Sequence, residues 1–147
     1  MGERTRILIV DDDESIRKTL TTILEDEGYK VDTAENGTQA IQKSQTRFYN
    51  VALIDIRLSD MEGTKLLAAL KETTPKMIKI IITGYPSVQN AVLAVNKNAD
   101  AYLIKPLDIP ALLRIIKTHL DKQRKDLRFT EEKVADFIQT RAKQLEN

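Results

Sequence analysis

The chain has 147 residues, of which 41% are hydrophobic and 31% charged, and its formal net charge is +1. That length suits one domain with a core of ordinary size. Cysteine is absent and His119 is the single histidine, which excludes disulfides, thiolate sites, cysteine nucleophiles and multi-histidine zinc centres. The lack of cysteine fits a reducing compartment, and the expected location is the cytoplasm. The longest apolar runs, such as Ala91 to Val95, are only five residues, so no membrane span is expected. No apolar stretch of signal-peptide length follows the N-terminal arginines, Arg4 and Arg6. The near-neutral charge gives no reason to expect direct binding to nucleic acid.

Strand and helix patterns alternate along the chain. Ile7 to Val10 is a continuous apolar run, the pattern of a central parallel strand covered on both faces. Ile16, Leu20, Ile23 and Leu24 follow at helical spacing and stop before Gly28, a helix-ending residue. Lys30 to Ala34 alternates as an edge strand would, and Ala40 and Ile41 mark a short helix after Asn36-Gly37. Val51 to Ile54 is a second central run, and Leu66, Leu67 and Leu70 mark a helix that ends before Pro75. Lys79 to Thr83 is a third such run, with Val88, Val92 and Val95 marking the helix after it. Ala101 to Ile104 is the last strand. Leu112, Leu113, Ile115, Ile116 and Leu120 mark the last helix of the repeat, with Pro110 in its first turn. The expected fold is α/β: a doubly wound five-stranded parallel sheet in the flavodoxin-like order 2-1-3-4-5. The repeat is used up near residue 122. Residues 1–122 are the expected domain, and 123–147 a charged C-terminal helical extension.

In such a sheet, ligands bind beyond the carboxyl ends of the strands. Those ends carry Asp11-Asp12-Asp13-Glu14, Asp55 followed by Ile56-Arg57, Thr83-Gly84, and Lys105-Pro106. Carboxylates pressed together repel unless a cation neutralises them. Mg2+ is the candidate: it takes oxygen ligands at ~2.0–2.1 Å and is usually held by one or two carboxylates with water and phosphate oxygens. Lys105 offers a point charge for a phosphoryl oxygen and Thr83 a hydroxyl donor. An Asp beside a metal, a Lys and a hydroxyl suits a phosphoryl group on the Asp itself. Capping of the first helix accounts for Asp13 or Glu14. Asn36-Gly37 and Asp60 to Gly63 read as turns. Arg57, two residues past Asp55, has a side chain long enough to cover a phosphoryl group. His119 reads as a solvated helix residue.

The segments ILIVDDDES, LIDIRLSDMEG, IITGYPS and AYLIKPLD, taken together, resemble a response-regulator receiver domain of two-component signalling, chemotaxis-regulator-like, over residues 5 to about 122. The resemblance implies that Asp55 is the phosphoacceptor, loaded from a phosphohistidine of a sensor histidine kinase. It implies Mg2+ ligation by Asp12, Asp55 and the Arg57 backbone carbonyl, with Asp11 acting through water. It assigns phosphoryl binding to Thr83 and Lys105, switching to Thr83 and Tyr102, and a cis peptide to Lys105-Pro106. The implied protein is a signalling switch that promotes only its own phosphorylation and dephosphorylation, not an enzyme acting on other molecules. Ser59 stands where the family often has Pro, Gly84 and Tyr85 follow Thr83, and paired acids are absent before Tyr102. A flavodoxin-like carrier is disfavoured because three Asp would repel a flavin phosphate. A dehalogenase-type phosphatase would want an acid at Arg57. The remaining rival is a receiver-shaped interaction module that works without phosphorylation.

Thr130 followed by Glu131-Glu132 reads as a helix cap with acids in the first turn. The last helix of the repeat is therefore expected to run to about residue 126, with a break near Phe129 and a final helix from about 131 to 145. Val134, Phe137, Ile138 and Leu145 give that helix an apolar stripe. That stripe must be buried, either by folding back on its own receiver or in a homodimer contact or swapped tail. Helix 4, strand 5 and helix 5 are the other candidate homodimer surface.

Overall fold

A computed structural model describes residues 5–146. The first four residues and Asn147, at the outer limits of the two expected segments, lie outside the described residues. The elements are β1 (Arg6–Val10), α1 (Glu14–Asp26), β2 (Lys30–Ala34), α2 (Gly37–Thr46), β3 (Val51–Asp55), α3 (Gly63–Ala69), β4 (Ile78–Thr83), α4 (Val88–Asn96), β5 (Ala101–Ile104) and α5 (Ile109–Glu146). All four strand pairings are parallel, and the sheet runs β2-β1-β3-β4-β5, the expected order.

Side chains alternate across the sheet, so each central strand feeds two cores. Leu8, Val10, Ala52, Ile54 and Ile81 pack with Ala40, Leu66, Leu67 and Ala94 of α2, α3 and α4. Ile7, Ile9, Leu53, Ile80 and Ile82 pack with Leu20 and Leu24 of α1 and with Leu112, Ile116 and Leu120 of α5. This double burial explains the apolar runs at 7–10 in β1, 51–54 in β3 and 80–82 in β4.

Local chemistry sets the helix ends. Asp13 caps α1, its side chain accepting from the Ser15 amide at 2.8 Å and the Ile16 amide at 3.3 Å. The helix stops at Gly28, whose φ of +94° suits a residue without Cβ. There Gly28 N bonds to Glu25 O and Tyr29 N to Leu24 O, the paired closing bonds of a Schellman end. At α2, Asn36 accepts from the Gln39 amide, and Asp60 accepts from the amides of Gly37 and Thr38 at 2.8 and 2.9 Å. Asp60 is therefore a cap supplied from the β3–α3 loop, not only a turn residue.

Val88, Val92 and Val95 lie on α4 as expected; all three face solvent, and Ala94 packs on the sheet. A small residue lets the helix backbone approach the strands closely. The break near Phe129 is absent: α5 is one helix through residue 146. Thr130 does not cap a new helix, because its hydroxyl donates to the Asp126 carbonyl at 3.0 Å, one turn back. Such back-bonding satisfies the hydroxyl inside a helix, and no Gly or Pro lies between 111 and 146 to interrupt it.

Gln123 marks where α5 leaves the sheet. It is buried, donates to the carbonyls of Asn50 at 3.0 Å and Lys76 at 2.8 Å, and accepts from the Asn50 side chain at 3.0 Å. Beyond it Leu127 is half-buried, and the helix from Arg128 to Arg141 is exposed.

Candidate functional site

The carboxyl ends of β1, β3, β4 and β5 converge. Asp11 follows β1 and is buried, whereas the adjacent Asp12 is exposed. The Asp11 carboxylate accepts from the Asp13 amide at 2.9 Å, and its carbonyl accepts from the Arg17 guanidinium at 2.7 Å. Asp55 ends β3 and is buried, its carboxylate accepting from the Arg57 amide at 3.3 Å. One carboxylate oxygen from each of Asp11, Asp12 and Asp55 lies within 4.8 Å of the others. Grouped carboxylate oxygens are the hard donors that a divalent ion of the Mg2+ class prefers, so the chemistry of the set fits such an ion.

Lys105, just past β5, reaches across. Its ammonium lies 3.0 Å from Asp11 Oδ2 and 3.4 Å from Asp55 Oδ2. The charges are tightly coupled. Burial first, and then the Asp11 charge, hold the Asp55 carboxyl above its ordinary value, with Lys105 pulling the other way. Burial opposes the Lys105 charge, but hydrogen bonds and charges from Asp11 and Asp55 outweigh it and raise that pKa. The Lys105–Pro106 peptide is cis, and so is Thr74–Pro75 at the far end of the sheet.

Thr83 is fully buried at the end of β4, and its hydroxyl oxygen accepts from the Tyr85 amide at 2.9 Å. Its own proton therefore remains available for donation. Tyr102 packs against the α2–α3–α4 core, and its hydroxyl is buried without a hydrogen-bond partner among the described residues. Over the mouth of the site, the Arg57 guanidinium stacks 4.0 Å from the centroid of the Tyr85 ring. Cation–π attraction of this kind holds two otherwise mobile side chains together.

Two contributors were read in the sequence only as turn residues or not at all. Gly63 donates its amide to the Ile56 carbonyl at 2.6 Å, and a Cβ there would overlap the Asp55 carbonyl oxygen. The absence of a side chain thus lets α3 start directly against the strand end that carries Asp55. Arg17 reaches from α1 to hold the Asp11 backbone and, at 3.8 Å, the Glu35 carboxylate. Its sequence signal is weak, because a helical Arg six residues after an Asp is ordinary.

A sequence model of the response regulator receiver domain family matches residues 7–117. The chain belongs to that family. The receiver is 41% identical over 111 residues to the transcriptional regulatory protein ZraR of Klebsiella oxytoca, covering 76% of this chain and 25% of that protein. It is 38% identical over 110 residues to the alginate biosynthesis transcriptional regulatory protein AlgB of Pseudomonas syringae, covering 75% of this chain and 24% of that protein. The chain thus spans about a quarter of the length of the curated relatives it matches. Among solved structures, a receiver domain protein from Methanospirillum hungatei is 47% identical, with a TM-score of 0.79, over 83% of this chain and 98% of that one. The beryllofluoride-activated NtrC4 receiver domain dimer is 38% identical, with a TM-score of 0.74, over 80% of this chain and 98% of that one. This receiver carries the acidic cluster of a possible metal site, and no helix among its described residues is long and apolar enough to cross a membrane.

Proposed function

We propose that this receiver is a phosphorylation switch whose acceptor is Asp55. The observation that carries the reading is the Lys105 ammonium lying between the carboxylates of Asp11 and Asp55, 3.0 and 3.4 Å away, with Asp12 beside them. A cation bridging two acids at the end of a parallel sheet is placed to receive the oxygens of a phosphoryl group. The donor is the phosphohistidine of a sensor histidine kinase. The N–P bond breaks as an Asp55 carboxylate oxygen forms the new O–P bond. Lys105 and the Thr83 hydroxyl then meet the phosphoryl oxygens. Asp12 and Asp55, the Arg57 carbonyl, and Asp11 through water would hold Mg2+. When bound, the ion offsets charge among these acids and on the phosphoryl oxygens.

Thr83 and Tyr102 are the switching pair. A Thr83 hydroxyl drawn to the phosphoryl group changes the space beside Tyr102, whose buried hydroxyl has no hydrogen-bond partner among the described residues. A phosphoryl group can shift this equilibrium only through contacts that differ between the two states. The output surface is α4, β5 and the adjoining face of α5, where Val88, Val92, Val95 and Ile104 are exposed. That face is one route to a homodimer. Residues 1–122 are the switch and 123–147 its extension, working in the cytoplasm without direct contact with nucleic acid or membrane.

The test is labelling of the full chain by acetyl phosphate with Mg2+, read by intact mass. One phosphoryl group is expected on the native chain and none on Asp55→Asn. Labelling that survives in Asp55→Asn, or proceeds equally well in EDTA, overturns the reading. A chain that takes no label and still binds its partner is an interaction module instead.

A further inference from the structure

Past Gln123, among the described side chains, only Leu127 is partly covered by the receiver, yet the helix carries large apolar side chains. Val134 is 52%, Phe137 66%, Ile138 60% and Leu145 80% exposed. An isolated helix of this length is marginal in water, and its stability ordinarily comes from packing an apolar face. Leu127, Glu131, Val134, Ile138, Arg141 and Leu145 follow one another at steps of four and three, the seam of a heptad pattern. The seam reads apolar, acid, apolar, apolar, base, apolar. Reversed, it is complementary to itself.

We propose that this segment pairs with the same segment of a second copy of the chain as an antiparallel two-stranded coiled coil, about a two-fold axis at Asp136. Leu127 of one copy then meets Leu145 of the other, Glu131 meets Arg141, and Val134 meets Ile138. Every layer is apolar on apolar or acid on base. A parallel pair would set Glu131 on Glu131 and Arg141 on Arg141, burying like charges. Sliding the antiparallel pair by one heptad sets Glu131 against Val134 in one direction and Arg141 against Ile138 in the other. Charge complementarity thus selects both orientation and register.

The flanks agree. Phe137 lies beside the axis and meets Phe137 of the second copy, an aromatic pair across the two-fold. Ala135 meets Ala135 on the other side, where the helices must come close. Phe129 points away from the seam and has a different cover: the Lys133 ammonium lies 5.4 Å from its ring centroid. The arrangement is isologous, as a closed dimer requires. At 1.5 Å of rise per residue, the two Gln123 positions sit about 40 Å apart along the rod. The receivers lie at opposite ends, with their α4–β5 faces apart.

The chain has no cysteine, so single-cysteine variants of the full chain report the geometry directly. Leu127→Cys and Leu145→Cys are mixed at several hundred micromolar and oxidised. A disulfide joining a Leu127→Cys chain to a Leu145→Cys chain is expected, and neither variant alone forms a disulfide-linked dimer. In sedimentation equilibrium without cysteines, Glu131→Arg weakens the dimer by about tenfold, and Glu131→Arg with Arg141→Glu restores it. Self-linked Leu127→Cys, a native chain that stays monomeric at that concentration, or a dimer indifferent to Glu131→Arg overturns the proposal. All the altered side chains lie outside the fully buried core, so the two-dimensional NMR amide pattern of residues 5–120 stays that of the native receiver throughout.

Discussion

The Lys105 ammonium lies 3.0 Å from the Asp11 carboxylate across a separation of 94 residues. It joins the first strand end to the last and places one cation between two buried acids. Removing it leaves both acids without that charge. Lys105→Ala is expected to lose about 2 kcal/mol or more in urea unfolding with EDTA present, the usual cost of breaking a largely buried pair. Millimolar Mg2+ should recover part of the loss. The sign of the pH dependence follows from the raised Lys105 pKa. Its contribution is complete below the ordinary value of 10.5 and is lost only as pH rises through the higher folded value.

Asp55→Asn should stabilise the chain. Burial and Asp11 raise the Asp55 pKa, so its charge opposes folding near neutral pH, and the opposition fades as pH falls through the raised value. The expected gain in Tm in EDTA is about 2–4 °C, the response to ~1 kcal/mol at this chain length. Scanning calorimetry of the two proteins is the check, and a lower Tm for the variant would contradict the electrostatic account.

Gly63→Ala places a methyl group on the Asp55 carbonyl oxygen. Backbone cannot yield as a flexible side chain can, so the expected loss is about 1–3 kcal/mol. Amide shifts in two-dimensional NMR should centre on residues 55 to 64. A silent substitution would mean that the β3–α3 loop is looser than described.

Asp60→Ala removes the second cap of α2, the one supplied from the β3–α3 loop, and leaves that of Asn36. The Thr38 hydroxyl first, then the Gly37 and Thr38 amides, hold the Asp60 carboxyl below its ordinary 3.8. Its stabilisation is therefore whole above pH 3.8 and disappears as pH falls through the lower folded value. The variant should melt below the native chain near neutral pH, and the gap should close in strong acid. A gap independent of pH would assign the loss to something other than the charged cap.

Most of the sheet was legible because its central strands are buried on both faces and carry unbroken apolar runs of three or four residues. The acids at Asp11, Asp12 and Asp55 stood out for the opposite reason, since charge at the end of such a run has no packing role. Asp13 was legible as a cap because it directly precedes helical periodicity. What escaped notice depends on contacts across the fold. Gly63 and Asp60 sit in a turn-rich segment that needs no further explanation until Asp55 and α2 are seen beside it. The α4 valines share the spacing of a core face, and spacing alone cannot tell a face turned to the sheet from one turned to a partner. The continuity of α5 was hidden by Thr130 and the acids after it, a local signal as compatible with a helix interior as with a helix start.

Gln123 fastens α5 to the Asn50 and Lys76 carbonyls at the amino-terminal end of the sheet, opposite Asp55. Past that fastening, the described helix runs on for about 35 Å. A tilt of roughly 10° at Gln123 would sweep the far end through about 6 Å, more than the pitch of one helical turn. The receiver therefore holds a lever whose short arm lies against the sheet, and displacements too small to notice within the core become register-sized at the tip.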